Sequence, residues 1–402
     1  MKFSVLLPTR NRLNYLRYAV ESVRRQEYED WEIVISDNCS EDDIAGYVAE
    51  LKEPRIRYVR TQDFIPVTEN WNNALENSEG DYVIMLGDDD GLVPGYFTAM
   101  KRLIDEYEAP DFIYTGALMF SYPGVTPAHP DGYLMPYGYA NFLNDSSGPL
   151  KKPIWIEKQQ ALELVEESMD FRAQYGYNMQ FALISRKFVQ SLSDKGPFFQ
   201  SPFPDYYAMN VMFLKAKRIL ADARPMVMIG VTPKSYGFYF LNGREKEGVS
   251  FLKGESSKKI AQRLKRFQLP GTHINNGWLA AVETIRFNYP EFGLKVGYWR
   301  YRMSQTLHVY HGYRTHNTVS YCEYRELMRK LRLDEKIQYG FCFALLVGLK
   351  KLLPARWHAT TVNRLREKWL EQFPAGSKWA PELTVGRYQN MLEVFEDLPA
   401  QT

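Results

Sequence analysis

Cysteine is scarce: Cys39, Cys322 and Cys342 are the three in 402 residues. They are too few and too scattered for a disulfide framework or a thiolate zinc site, and a reducing compartment suits them. Long hydrophobic runs are missing too. No window reaches the roughly 18 apolar residues of a membrane-crossing helix. The nearest, Tyr339 to Leu349, stops at Lys350 and Lys351; it reads as a buried core helix, with a membrane-interface helix as the alternative. Net charge is only +2, from 50 Lys and Arg against 48 Asp and Glu, so no nucleic-acid partner is expected. Internal repeats and low-complexity tracts are absent as well. The opening Met-Lys-Phe-Ser-Val-Leu-Leu-Pro breaks at Pro8 and turns polar at once. That is a first strand rather than a secretory leader, and the expected location is cytoplasmic.

What is present is a large apolar fraction, 45%, with 15% aromatic residues, enough for two or three domains. Charge is unevenly placed. From Ser256 to Glu371 roughly 21 Lys and Arg face 8 Asp and Glu, so this basic stretch suits anionic partners or forms a solvated helical surface. Peripheral contact with the inner face of a membrane is one expectation.

Apolar runs alternate with helical periods along the first third of the chain. Phe3 to Leu7, Trp31 to Ser36, Ile56 to Val59, Tyr82 to Leu86 and Phe112 to Thr115 read as strands. Leu13, Leu16, Val20 and Val23 recur at helical spacing, with Asn11 as a candidate N-cap. Helices are also expected over 41–51, 71–77 and 95–107. This alternation predicts an α/β fold with a mostly parallel sheet flanked by helices. Ligands in such sheets bind beyond the carboxyl ends of the strands. From residue 121 to 153 Gly, Pro, Tyr and Asn are dense and no period is sustained, which reads as a long loop region or unseen short strands. Beyond residue 256 the chain reads as mainly helical. Three divisions are expected: 1–120, 121–255 and 256–402.

Three polar clusters fall at strand ends. Pro8, Thr9, Arg10, Asn11 and Arg12 follow the first strand, where backbone amides before a helix cradle a uracil or phosphate, or simply form a capped turn. Asp37 and Asn38 follow the second; the Asp either accepts hydrogen bonds from a base or ribose, or makes an Asx turn into an acidic helix start. Gly87-Asp88-Asp89-Asp90-Gly91 follows the fourth. Three adjacent carboxylates repel, and after an apolar strand they are partly desolvated, so a cation must compensate. Hard oxygen donors favour Mg²⁺ or Mn²⁺ bridged to phosphates. The bland alternative is a solvated acidic turn.

The order Phe3-Ser-Val-Leu-Leu-Pro-Thr-Arg-Asn-Arg12, Glu32-Ile-Val-Ile-Ser-Asp-Asn-Cys-Ser40 and Gly80-Asp-Tyr-Val-Ile-Met-Leu-Gly-Asp-Asp-Asp90 resembles the family 2 glycosyltransferases of GT-A fold. The resemblance spans residues 1 to 120. It implies that Thr9 and Asp37 hold a nucleotide and that Asp88 to Asp90 form the metal motif. Gly87 stands where the family commonly has its first Asp, which leaves Asp89 as first choice for the metal and Asp88 facing ribose or metal. It further implies a UDP-sugar donor, a glycan or lipid-linked saccharide acceptor, and an inverting transfer with a carboxylate base near a helix start. Pro202-Phe-Pro-Asp205 fits that description; Asp205 is otherwise an N-cap. Glu166, Glu167 and Asp170 are weaker rivals. His273, His308, His311 and His316 form no recognisable metal site, and Tyr298, Trp299, Tyr310 and Tyr313 are read as packing rather than sugar-stacking residues. Two rival functions remain: a nucleotidyltransferase, although no Gly-rich basic loop follows the first strand, and a non-catalytic glycan- or membrane-binding module.

Overall fold

The computed structural model describes residues 1–137, 140–145, 148–233, 235, 238–239, 258–316, 318–352 and 384–400. The chain forms two compact units. One comprises Met1–Glu163, Tyr175–Glu255 and Lys378–Thr402, the other Leu164–Gln174 and Ser256–Ser377.

The first unit opens with β1 (Phe3–Thr9), α1 (Leu13–Arg24), β2 (Trp31–Asp37), α2 (Ile44–Leu51), β3 (Ile56–Arg60), α3 (Val67–Glu76) and β4 (Tyr82–Met85). It continues with β5 (Gly91–Leu92), α4 (Tyr96–Glu106), β6 (Phe112–Ser121) and β7 (Tyr133–Tyr137). The short β8 (Asn144–Asp145), β9 (Gly148–Pro149) and β10 (Ile154–Ile156) follow, then α5 (Lys158–Met169), which belongs to the other unit from Leu164 on, and β11 (Ala182–Ser185), α6 (Arg186–Gln190), α7 (Pro204–Lys215) and β12 (Ile219–Val231). The main sheet runs β10-β12-β6-β11-β4-β1-β2-β3. Six of these strands point one way; β11 and β10 run against them. The α/β class is as expected. Every residue of β2 is buried, the mark of a strand covered on both faces. Leu16, Ala19, Val20 and Val23 form the buried stripe of α1. Phe97 of α4 stacks on Phe3 with ring centroids 5.1 Å apart, which fixes that helix to β1.

Local chemistry sets several element limits. The helix expected from residue 41 starts at Ile44, because the Asp43 carboxylate accepts the Gly46 N–H at 2.8 Å and caps it. Asn11 is not the cap of α1. It sits in the left-handed region at φ 53°, and Asp42 accepts the Leu13 N–H at 2.9 Å instead. The third helix begins at Val67, directly after Pro66. Strand β6 runs past Thr115 to Ser121, so the boundary expected at 120/121 lies inside it. Gly116 permits this: a Cβ there would lie 2.6 Å from the Ala223 carbonyl oxygen, beside a register shift in β12. Within the stretch expected as loop, β7 pairs antiparallel with β6.

The tail belongs to this unit as well. The two-residue β13 (Thr384–Val385) pairs with β7. A closing helix, Met391–Asp397, buries Met391, Val394 and Phe395 against Val93, Leu118, Phe120 and Met228.

The second unit is helical: α8 (Lys258–Phe267), α9 (His273–Asn288), α10 (Tyr298–His311), α11 (Tyr321–Lys330) and α12 (Leu333–Leu352), so the helix of the tail is α13. Thr272 caps α9. Phe171 packs its ring on Trp278 and Tyr301 at 5.2 and 5.3 Å. Among the described residues no helix is long and apolar enough to cross a membrane.

Candidate active site

Register places the first two clusters side by side. In the parallel pair β1–β2, Thr9 lies opposite Asp37. On the other side β4 follows β1 as far as Leu6 opposite Met85, and the Leu86 N–H extends the ladder to the Leu6 carbonyl at 2.9 Å. The chain then leaves the sheet at Gly87, so Asp88 to Asp90 emerge next to Thr9.

All three carboxylates are buried. Their cation is Arg12. Its Nη1 pairs with Asp88 Oδ1 at 2.7 Å and its Nη2 pairs with Asp89 Oδ2. Thr9 Oγ1 donates to Asp88 Oδ2 at 2.7 Å, and Thr232 Oγ1, at the end of β12, donates to Asp89 Oδ2 at 2.9 Å. Asp90 has different company: it accepts N–H bonds from Gly87 and Gly230, both at 2.9 Å, and from Gln180 Nε2. Thus Asp88 and Asp89 share one guanidinium while the oxygens of Asp90 are taken by amides. Among the described residues no group of three His, Cys, Asp or Glu side chains is placed to hold a metal.

Burial raises the Asp88 carboxyl to about 6 against the opposing pull of Arg12. Burial, followed by the Asp89 charge, raises Asp90 to about 7. Burial alone would weaken the Arg12 cation, but Asp88 and Asp89 reverse that and hold it protonated. Two N–H groups nearby are buried without a partner among the described residues, Arg12 Nε and Arg10 Nη1. The Arg10 guanidinium lies over the Phe64 ring at 3.8 Å.

The glycines around the acidic turn answer to packing. A Cβ at Gly87 would lie 2.4 Å from Asp90 Oδ2, and one at Gly91 would lie 2.6 Å from Met391 Sδ. At Gly230 it would meet the Asp89 carbonyl oxygen at 1.8 Å. Gly230 thus lets the end of β12 close directly on the backbone of the turn.

Pro8 is an ordinary β1 residue beside Ser36. Asn11 ties the first loop to the second, its N–H bonding Ser40 Oγ at 3.0 Å and its Oδ1 accepting the Glu41 N–H. Asp37 is fully buried; it accepts from Tyr58 Oη at 2.7 Å, Arg60 Nη1 at 3.3 Å and the Ser40 N–H at 2.9 Å. Asn38 pins the following loop through the Ile65 N–H and carbonyl.

Asp205 lies in the first turn of α7, after Pro204, and is not its cap: Phe203 holds that position. It is half-buried, accepts the Tyr206 N–H at 3.0 Å, and is raised by burial to about 7. Among the described residues no hydrogen bond of its own joins it to the acidic turn. Its helix is nonetheless tied there through one segment: Tyr175 donates to Asn210 at 2.9 Å, Tyr177 packs on Tyr206, and Gln180 bonds Asp90. Of its rivals, Glu167 and Asp170 pair with Arg172, and Asp170 also with Arg300. Tyr298 stacks on Phe267, Tyr313 on Tyr324, and Tyr310 is core; Trp299 is 43% exposed.

Sequence reasoning missed Thr232 and Gln180, which no local pattern marks. Arg12 carried a signal: a cation three residues past Thr9, available to a trio of anions.

Residues 4–148 match the family described as Glycosyl transferase family 2. Over 108 residues the chain is 35% identical to the GalNAc(5)-diNAcBac-PP-undecaprenol beta-1,3-glucosyltransferase of Campylobacter jejuni, covering 26% of this chain and 35% of that one. Over 135 residues it is 31% identical to the putative colanic acid biosynthesis glycosyl transferase WcaA of Escherichia coli, covering 32% and 48%. The chain therefore spans about a third to a half of the length of these relatives. Among solved structures, S. aureus TarS 1-349 in complex with UDP-GlcNAc aligns with a TM-score of 0.46 at 16% identity, over 87% of this chain and 92% of that one.

Proposed function

Given that residues 4–148 belong to glycosyl transferase family 2, we propose that this chain transfers a sugar from a nucleotide diphosphate sugar, UDP favoured, to a saccharide or lipid-linked saccharide on the cytoplasmic side. The PP-undecaprenol saccharide in the name of the Campylobacter relative supports the lipid-linked acceptor. The observation that carries the reading is the buried pair Asp88 and Asp89 converging on one cation at the carboxyl end of a parallel sheet.

That pair fits Mg²⁺ or Mn²⁺ in donor chemistry: two hard carboxylates already arranged about a single positive charge. Asp90, expected as a third ligand, is left out of the proposed pair because three amides, those of Gly87, Gly230 and Gln180, already bond its oxygens and, among the described residues, no cation does. A divalent ion held by Asp88 and Asp89 would stabilise the leaving diphosphate. Arg12 and Arg10 offer their unpartnered N–H groups to phosphate oxygens, an interaction strengthened by charge. Thr9 keeps Asp88 in place, and Asp37 keeps Tyr58 and Arg60 in place, at the nucleotide end.

Asp205 is the proposed base. A carboxyl raised to about 7 takes a proton near neutral pH better than an ordinary one. As the acceptor oxygen attacks the anomeric carbon, Asp205 receives its proton, the new C–O bond forms, and the bond to the diphosphate breaks with its electrons leaving on phosphate. Attack opposite the leaving group inverts the anomeric centre.

The test is product analysis of the purified chain with nucleotide sugars, with Mn²⁺ and with EDTA. Released nucleoside diphosphate that disappears on chelation is expected. Pyrophosphate release would favour nucleotidyl transfer, and full activity in EDTA would remove the metal.

A further inference from the structure

Helix α12 carries large apolar side chains on two opposite faces. Glu335, Tyr339 and Phe343, spaced four apart, face inward: Glu335 pairs with Arg302 at 2.6 Å, Tyr339 is 1% exposed, and Phe343 packs on the cluster formed by Leu327, Tyr310 and Val309. The ladder two residues out of step, Leu333, Ile337, Phe341 and Leu345, faces outward with exposures of 73, 67, 68 and 43%. Four large apolar side chains at i, i+4, i+8 and i+12 make a continuous stripe rather than scattered surface residues. The sequence expectation of a buried core helix holds for only one of its faces.

The rim of the stripe is polar and cationic. Arg332 and Asp334 pair at 3.3 Å at its start, both largely exposed. Half-buried Lys336 stands on the same helix. The 43%-exposed Trp299 reaches it by an Nε1–H bond to Gln338 at 3.4 Å. Elsewhere in the same unit, Arg325, Arg329 and Lys330 of α11 line a concavity with Glu326 and Cys322.

We infer that α12 is a docking face for an anionic lipid surface, with Leu333, Ile337, Phe341 and Leu345 entering the acyl boundary and the surrounding Arg and Lys side chains meeting the head groups. Charge selects this occupant over a second copy of the chain. Between Ser256 and Leu352 there are 17 Lys and Arg against 6 Asp and Glu, so two such surfaces repel whereas a negatively charged leaflet attracts. An amphipathic helix lying in the interface plane needs both parts, apolar area and basic rim, and neither a spanning length nor a covalent anchor.

The experiment is flotation of the full chain with vesicles of phosphatidylglycerol and phosphatidylcholine in equal parts, and with phosphatidylcholine alone, beside analytical ultracentrifugation. Wild type should float with the anionic vesicles and much less with the neutral ones. The combined variant Leu333→Ser, Ile337→Ser, Phe341→Ser should lose about tenfold or more of that partitioning, as removal of three inserted apolar groups requires, while its unfolding midpoint and its donor hydrolysis in solution stay as in wild type. Wild type that stays off anionic vesicles overturns the inference, as does a variant that floats like wild type. A wild-type dimer that the substitutions reduce to a monomer assigns the face to a second copy and overturns it too.

Discussion

The acidic turn and α12 break the same rule in opposite directions. In the turn, three carboxylates and a guanidinium are taken out of water; on α12, four large apolar side chains are left in it. Folding alone favours neither. The turn is internally answered, since each carboxylate has named partners. The outer stripe of α12 has no such answer within its own helix. On the proposed readings, one region takes a ligand that must displace or share existing contacts, and the other takes a surface that supplies the missing ones.

The sharpest way to break this contrast is to remove the charge that serves the ligand. Asp89→Asn should lower kcat/KM for transfer by about 10²–10³-fold or more. The same change at Asp90 should leave Mn²⁺ binding to the protein, followed by calorimetry, near wild type. Equal loss of metal affinity in both variants would restore Asp90 as a ligand. Asp205→Asn should retain donor binding and lose about 10²–10⁴-fold in turnover. In wild type, activity should rise with pH through about 7, because the base must first lose its proton; a flat profile between pH 6 and 8 would remove Asp205 from the reaction.

Arg12→Ala tests the internal answer itself. It leaves Asp88 and Asp89 buried without their cation, a loss of about 3–5 kcal/mol in stability. Mn²⁺ should recover more of the melting temperature in this variant than it adds to wild type. A smaller effect follows from titration. The Asp90 carboxyl is raised above the ordinary value near 4, so the stability it contributes is full at low pH and is lost as pH rises through about 7. Metal-free wild type should then lose stability between about pH 4 and about pH 7 and level off above that, and Asp90→Asn should flatten that slope. At the small end, Phe341→Ser alone should move stability by no more than about 0.5 kcal/mol, since nothing inside the fold depends on an outward side chain. A large loss there would mean the face is already covered.

The strands of the first third and the three clusters at their ends were legible, because buried parallel strands are continuous apolar runs and the polar residues follow them directly. What was not legible was the division of labour within the clusters. Asp88 and Asp90 are two positions apart in sequence, yet their surroundings are set by Arg12, Gln180 and Gly230, which local patterning cannot relate to them. Asp42 and Asp43 looked like one acidic helix start and in fact cap two different helices. The run from Tyr339 to Leu349 showed its hydrophobicity plainly, but which half of it turns outward depends on Arg302 and the α10–α11 packing. The return of residues 384–400 to the sheet left no local sign at all.

That return has a consequence in time. Gly91, immediately after the acidic turn, is seated on Met391 and Phe395, across about 300 residues of intervening chain. So distant a closure is among the slowest events in ordering a chain. During synthesis the floor beneath the three carboxylates stays absent until Met391 has left the ribosome, and a growing polypeptide carrying a complete β1–β4 layer still lacks a finished site.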